Sequence, residues 1–139
     1  MKLERTVHIA APPERICHVM TDVERWPEWT SSVKAVRRID DGPLRIGSSA
    51  EIELRGTPNA TWVVKSFEAG RSFWPESQVT PSVAGGHVIE PAGDGADVRL
   101  TIQPRGLIAT LLSPLIVRMS RANVEAEAEG LSRRGEENA

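Results

Sequence analysis

The chain has 139 residues and a formal net charge of −2, and 40% of its residues are hydrophobic and 26% charged. This composition is typical of one folded domain, residues 1–139, and it excludes the basic stripe that nucleic-acid binding requires. The aromatic residues are four Trp and two Phe with no Tyr, so a phenol is excluded as a proton donor. The single cysteine, Cys17, excludes an internal disulfide and a multi-cysteine metal site.

The first thirty residues predict one strand and two short helices. Residues 2–10 alternate between apolar and polar side chains, as a strand with one buried face does. Pro12 and Pro13 end this strand and suit the first turn of a helix. The apolar face of that helix carries Ile16, Val19, Met20 and Val23. A second short turn follows and ends at Trp29.

Six more strands are predicted between residues 33 and 103, because turn signals recur about every ten to fifteen residues. The turns lie at residues 40–43, 56–59, 68–71, 80–82 and 91–95, and the strands at residues 33–39, 46–55, 60–67, 72–79, 84–90 and 97–103. Several strands alternate clearly and predict a sheet covered on one face. Residues 33–39 fit this pattern only with a bulge.

The C-terminal segment predicts the helices that cover this sheet. A short helical turn is expected at residues 107–112, and a long helix from Ser113 and Pro114 to about Leu131. The tail, residues 134–139, is expected to fray. The apolar positions expected to face the sheet are Leu107, Ile108, Leu111, Leu112, Leu115, Ile116, Met119 and Ala126.

These elements and several local motifs resemble the START-like (SRPBCC) superfamily, and within it the polyketide cyclase/dehydrase and lipid transport group. The resemblance covers essentially the whole chain and implies an α+β helix-grip fold. In that fold a curved seven-stranded antiparallel sheet surrounds a long C-terminal helix, with a hydrophobic cavity between them and two short helices after the first strand. The matching motifs are IAAPPERI (residues 9–16), DVERWPEW (22–29), ATWVV (60–64), EAGRSF (68–73), GHVIEP (86–91) and NVEAEAEGL (123–131).

The predicted ligand-binding residues are those expected to line this cavity. Aromatic walls would suit a flat or polycyclic ligand, and Asn123 would add a polar contact. Pro75 removes a sheet hydrogen-bond donor and predicts an edge position or a bulge, which leaves the facing of Trp74 and Glu76 open. The full set is Trp29, Ile52, Leu54, Trp62, Val64, Phe73, Trp74, His87, Ile89, Leu115, Met119 and Asn123.

Candidates for catalysis are sparse. His87 shares the parity of Ile89, so it should point inward, where a histidine can act as an acid or base near neutral pH. The favoured alternative is a structural histidine that is hydrogen-bonded within the sheet or at its rim. Glu76 is a second candidate, at the mouth of the cavity beside His87, but the disturbance of parity by Pro75 favours a solvated glutamate. His8 and His18 are expected on wet faces, and no cofactor or metal site is predicted.

Two functions fit these observations. The first is binding of a hydrophobic small molecule, a lipid or a polyketide-like compound, by a cytoplasmic monomer or homodimer. The alternative is a polyketide cyclase, aromatase or dehydratase that uses the same cavity, with His87 as the acid or base. A third hypothesis is a partner-binding module, which a large exposed apolar patch would indicate.

Overall fold

A computed structural model describes residues 1–55 and 59–137 of the chain. The predicted turn at residues 56–59 therefore lies largely outside the described residues. The elements in chain order are β1 (Leu3–Ile9), α1 (Pro13–Thr21), a 3-10 helix (Val23–Glu28), β2 (Val33–Arg38), β3 (Ser49–Leu54), β4 (Ala60–Glu68), β5 (Ser72–Ser77), β6 (Ser82–Ala92), β7 (Gly95–Arg105), α2 (Gly106–Leu111) and α3 (Ser113–Glu136).

The seven strands form one antiparallel sheet in the order β1-β7-β6-β5-β4-β3-β2, which confirms the predicted sheet. Strands β2 to β7 follow one another as a meander, and β1 closes the sheet beside β7. The predicted irregularity of β2 is present, because its register shifts between Val33 and Ala35. Pro75 lies in a central strand and not at an edge, and the β4 register shifts between Val64 and Ser66 beside it.

Alternation along each strand sets the inner face of the sheet, which α3 covers. Glu125 of α3 accepts hydrogen bonds from Arg5 of β1, and Arg5 pairs in register with Leu100 of β7. His87 of β6 pairs in register with Leu100 from the other side of β7. The side chains of Arg5, Leu100 and His87 therefore all point toward α3. The core under α3 includes Ile9, Ile16, Met20, Trp26, Trp29, Trp62, Val64, Phe73, Ile89, Val98, Leu100, Val124, Ala128 and Leu131.

The last turns of α3 are held by the N-terminal segment, which corrects the expectation of a frayed tail for residues 134–137. The backbone N–H of Ala10 donates to Glu136, and the guanidinium of Arg15 donates to the carbonyl oxygens of Arg134 and Gly135. Arg134 also contacts Glu28 at 2.7 Å. The helix consequently continues to Glu136, five residues beyond its predicted end.

Candidate functional site

An aromatic cluster fills the inner face of the sheet beneath the 3-10 helix. The imidazole of His87 stacks on the ring of Phe73, with centroids 4.4 Å apart and planes 7° from parallel. Trp26 lies 5.4 Å from His87 and 6.2 Å from Phe73, and it meets Trp29 edge-on at 5.9 Å. His87 is therefore the one titratable side chain of this aromatic cluster.

His87 is paired with a carboxylate of α3. Its Nε2 atom lies 2.8 Å from Glu127 Oε1, and only 5% of the histidine is exposed. Glu127 faces the sheet because it follows buried Val124 by three residues and precedes buried Leu131 by four. The inward orientation expected for His87 is present, whereas its partner Glu127 was not among the predicted site residues. The signal that could have identified Glu127 is this position on the buried stripe of α3.

The two halves of α3 cover the sheet to different extents. Its C-terminal half is buried, with Val124, Ala128 and Leu131 each 4% exposed or less. In its N-terminal half Leu115 and Met119 are 53% and 56% exposed, and Asn123 is half-buried. Partly exposed hydrophobic side chains also lie on the inner face of the sheet, at Leu3, Leu54, Ala60 and Ile102. Leu115 and Met119 are each two residues from the buried Val117 and lie on the opposite side of α3, so the incompletely covered apolar surface of the interior lies on these strands.

Three ring nitrogens in the interior are buried without a hydrogen-bond partner among the described residues. They are Nε1 of Trp29, Nε1 of Trp62 and Nδ1 of His87. Most buried polar atoms in folded proteins have a partner, and an orphaned one costs about 1–3 kcal/mol. Trp26 provides the contrast, because its Nε1–H donates to the carbonyl oxygen of Met20 at 3.0 Å. The orphaned indole N–H groups are donors that a ligand oxygen could satisfy.

Most of the predicted cavity residues lie on the inner face of the sheet and are buried. Leu54 is half-buried there, and Trp29 lies where the 3-10 helix meets α3, with its backbone against Gly130. The buried inner-face residues are Ile52, Trp62, Val64, Phe73, His87 and Ile89.

Trp74 and Glu76 lie on the outer face of the sheet, which corrects the placement of Trp74 in the cavity and excludes Glu76 as a partner of the inward histidine. A side chain at Gly86 would meet the ring of Trp74 at 2.4 Å, and Gly86 faces opposite to its neighbour His87. Glu76 forms an ion pair with Arg105 at 3.4 Å. The physical reason is strand alternation, since Phe73 occupies the inward position immediately before Trp74.

The apolar face of the C-terminal helices also differs from the prediction. Six of the residues predicted to pack on the sheet are exposed instead: Leu107, Ile108, Leu111, Leu112, Leu115 and Met119. The buried stripe of α3 carries smaller residues instead, including Val117 and the Ala and Gly positions that follow. Small side chains allow the helix to approach the sheet closely, which long Leu and Met side chains do not.

The other two histidines and the single cysteine lie outside this aromatic cluster. His8 is exposed, and hydrogen bonds to Asp94 and Asp97 raise its pKa above the ordinary value. Burial raises the pKa of the Cys17 thiol, which opposes formation of a nucleophilic thiolate. His18 is also exposed and lines a polar groove of about 610 Å³ between α1 and the end of α3. No cluster of metal-ligating side chains is found among residues 1–55 and 59–137.

The curved sheet, the long C-terminal helix and the enclosed aromatic interior define a helix-grip domain of the START/Bet v 1-like class. The chain belongs to the polyketide cyclase/dehydrase and lipid transport family, whose model matches residues 1–136. None of the curated protein sequences matches the chain.

Solved structures with low sequence identity share this fold. A START superfamily protein from Mycobacterium smegmatis has 19% identity and a TM-score of 0.77, with 99% of each chain covered. A protein from Thermus thermophilus, TTHA0849, has 20% identity and a TM-score of 0.75, with 100% of this chain and 99% of that chain covered. Ara h 8.0201 has 10% identity and a TM-score of 0.64, with 94% and 97% covered.

Proposed function

We propose that this protein binds a hydrophobic small molecule, a lipid or a polyketide-like compound, between the sheet and the first half of α3. The observation that carries the proposal is the incomplete cover of the inner face. Leu54, Ala60 and Ile102, on strands of the inner face, are apolar side chains left partly exposed. Family membership supports the same function, because both lipid transport and polyketide chemistry use a hydrophobic ligand.

Apolar contact supplies most of the binding free energy in this proposal. A ligand that buries about 600 Å² of apolar surface gains roughly 15 kcal/mol at ~25 cal/mol per Å². Association itself costs about 4–15 kcal/mol, so lipid-sized ligands are favoured over small aromatic ones. The ligand is then held by area and shape, and a few polar atoms set its orientation.

Trp62 provides the polar contact in this proposal. Its indole is 5% exposed on the inner face of β4, close in sequence to the partly exposed Ala60, and its Nε1–H has no partner among the described residues. A carbonyl or hydroxyl oxygen of the ligand would accept this hydrogen bond. We therefore expect oxygen-bearing hydrophobic compounds, such as polyketones and fatty acids, to bind better than plain hydrocarbons.

The test compares Trp62→Phe with Trp26→Phe, using an anthraquinone and a long-chain fatty acid as probes and calorimetry as the readout. Both variants lose a similar ring volume, but only Trp26 has a protein partner, the Met20 carbonyl. Trp62→Phe should weaken binding of the anthraquinone about fivefold, the effect of one hydrogen bond of ~1 kcal/mol. Trp26→Phe should reduce stability and leave affinity nearly unchanged.

Native mass spectrometry of the protein purified from its own source is the complementary measurement. A co-purifying hydrophobic molecule is the expected result. Failure of both probes to bind, together with a protein that purifies empty, contradicts the proposed function. Equal effects of the two tryptophan variants on affinity contradict the role of the Trp62 N–H.

A cyclase, aromatase or dehydratase is the second candidate function, and the His87–Glu127 pair is the observation that favours it. With Nε2–H donating to the Glu127 carboxylate at 2.8 Å, Nδ1 carries the lone pair and can accept a proton from a bound polyketone. The packing of His87 between Phe73 and Trp26 favours binding over turnover, because it leaves Nδ1 enclosed.

Substitution of the histidine separates the two functions. In His87→Gln the side chain stays polar and close in size, while the titratable imidazole is removed. Loss of product formation from a linear polyketone with retained affinity supports the enzyme. Retained affinity in a protein that forms no product before or after substitution supports the binding function.

A further inference from the structure

The C-terminal helices expose a contiguous set of long apolar side chains, named here the apolar patch. Six of the ten large hydrophobic side chains that are exposed in the described residues belong to it. The most exposed are Leu107 and Leu111, at 77% and 72%. The apolar patch consists of Leu107, Ile108, Leu111 and Leu112 at the end of the sheet, and Leu115 and Met119 in the first turns of α3.

The spacing of these residues makes the apolar patch a surface and not a scatter of side chains. Residues 107, 108, 111 and 112 lie on one face of a helical turn, opposite the buried Ala109. Leu115 and Met119 are four residues apart and share a face of α3. Clusters of exposed apolar side chains of this kind mark surfaces that bind a membrane or a partner protein.

The segment that carries the apolar patch contains basic residues and no acidic ones. Residues 98–124 contain four Arg and no Asp or Glu, whereas the rest of the chain carries 13 basic and 19 acidic residues. Arg118 and Arg121 are exposed and form no ion pair within residues 1–55 and 59–137. The other two arginines are paired, Arg99 with Glu4 at 3.6 Å and Arg105 with Glu76 at 3.4 Å. The arginines of this segment that have no ion pair in the described part of the chain, Arg118 and Arg121, therefore lie on α3 close in sequence to its exposed apolar residues.

This charge decides between the possible occupants. In a two-fold dimer through the apolar patch the same segment, which has no acidic residue, lies on both sides of the interface, so Arg118 and Arg121 would find no carboxylate on residues 98–124 of the second copy. An anionic lipid surface accepts both features at once, because apolar side chains enter the acyl boundary while arginines reach phosphate groups.

We propose that the apolar patch docks on the surface of an anionic lipid bilayer. Leu107, Ile108, Leu111 and Leu112 enter the interface, and Arg118 and Arg121 bind headgroup phosphates. None of the helices in the described residues is long and apolar enough to cross a bilayer, so the contact is peripheral. This docking goes beyond the proposed ligand binding and does not depend on which molecule the interior holds.

Flotation with phosphatidylcholine vesicles, with and without phosphatidylserine, tests the proposal. The protein should float with the anionic vesicles and much less with the neutral ones. Arg118→Gln with Arg121→Gln should weaken binding to the anionic vesicles about 25-fold, at roughly fivefold for each arginine near such a surface. High salt should release the protein, since the screening length falls from about 10 Å at 0.1 M to about 3 Å at 1 M.

Matched variants control for general changes in surface polarity. Leu107→Ser with Leu111→Ser should abolish flotation and leave probe binding by the interior intact. Ile39→Ser with Ile46→Ser, two exposed apolar residues elsewhere, and Lys34→Gln with Lys65→Gln, two exposed cations on the sheet, should float like the original protein. Circular dichroism melts confirm that each variant is folded.

Three results would overturn the proposal. The first is absence of binding to phosphatidylserine vesicles by the folded protein. The second is equal binding to neutral and anionic vesicles with no effect of the arginine substitutions. The third is a dimer in solution that Leu107→Ser with Leu111→Ser converts to a monomer, together with no flotation, which would assign the apolar patch to self-association.

Discussion

Gly130 is the position where α3 makes its closest approach to the N-terminal half of the chain. A Cβ atom there would lie 1.8 Å from the carbonyl oxygen of Trp29 and 2.9 Å from its carbonyl carbon. Ordinary contact begins at 3.4 Å, so the helix and the Trp29 backbone would have to separate by about 1.6 Å. The same carbonyl oxygen accepts a hydrogen bond from Arg133 at 3.0 Å, which such a separation would break.

Gly130→Ala should therefore destabilise the protein although alanine is the better helix former. Overpacking against backbone costs about 1–3 kcal/mol, and the lost Arg133 hydrogen bond adds about 1 kcal/mol. The gain in helix propensity returns about 1 kcal/mol. We expect a net loss of about 2 kcal/mol, which lowers the urea midpoint by about 1 M for an m-value of ~2 kcal/mol per M.

Urea unfolding followed by circular dichroism and tryptophan fluorescence measures this change. Gly135→Ala is the matched control, because its Cβ would meet the side chain of Ile9 at 3.0 Å and no backbone atom within 4 Å. That side chain can shift by a few tenths of an ångström, so the control should stay within about 1 kcal/mol of the original protein. An unchanged or higher midpoint for Gly130→Ala would refute the reasoning.

Three further predictions concern other contacts. Gly86→Ala should displace the ring of Trp74 from the outer face, lowering the thermal midpoint and red-shifting the tryptophan emission; an unaltered spectrum and midpoint would argue against this packing. The raised pKa of His8 means that its contribution to stability is present below the ordinary histidine pKa and is lost as pH rises through the raised value; Asp94→Asn should lower that pKa in an NMR titration, and no change would contradict the hydrogen bond. Glu127→Leu should cost about 1–3 kcal/mol in urea unfolding by leaving the buried imidazole unpaired, whereas Glu127→Gln should cost less, and equal losses would count against the pair.

The sheet could be predicted from the sequence because a strand places alternate residues on opposite faces. This period of two orients Ile52, Trp62 and Val98 correctly, and it turns His87 inward. Trp74 could not be placed in the same way. Pro75 interrupts the pattern immediately after it, and only the packing on Gly86 shows that it faces outward.

The orientation of α3 could not be read from periodicity alone. Two overlapping stripes have helical spacing, one through Leu115 and Met119 and one through Val117, Val124 and Leu131. Hydrophobicity favours the first stripe, but the fold buries the second, because its Ala and Gly neighbours allow close approach to β1 and the Trp29 backbone. The site partner Glu127 was missed for the same reason.

The contacts between α3 and the N-terminal elements also constrain the order in which the protein can fold. Gly130 and Gly135 of α3 lie against Trp29 and Ile9, residues more than a hundred positions earlier. During synthesis, the core beneath β1 therefore stays uncovered until α3 has emerged from the ribosome. Between the synthesis of β7 and that of α3, a nascent chain should expose the inner face of the sheet, and closure of this long loop should limit the folding rate.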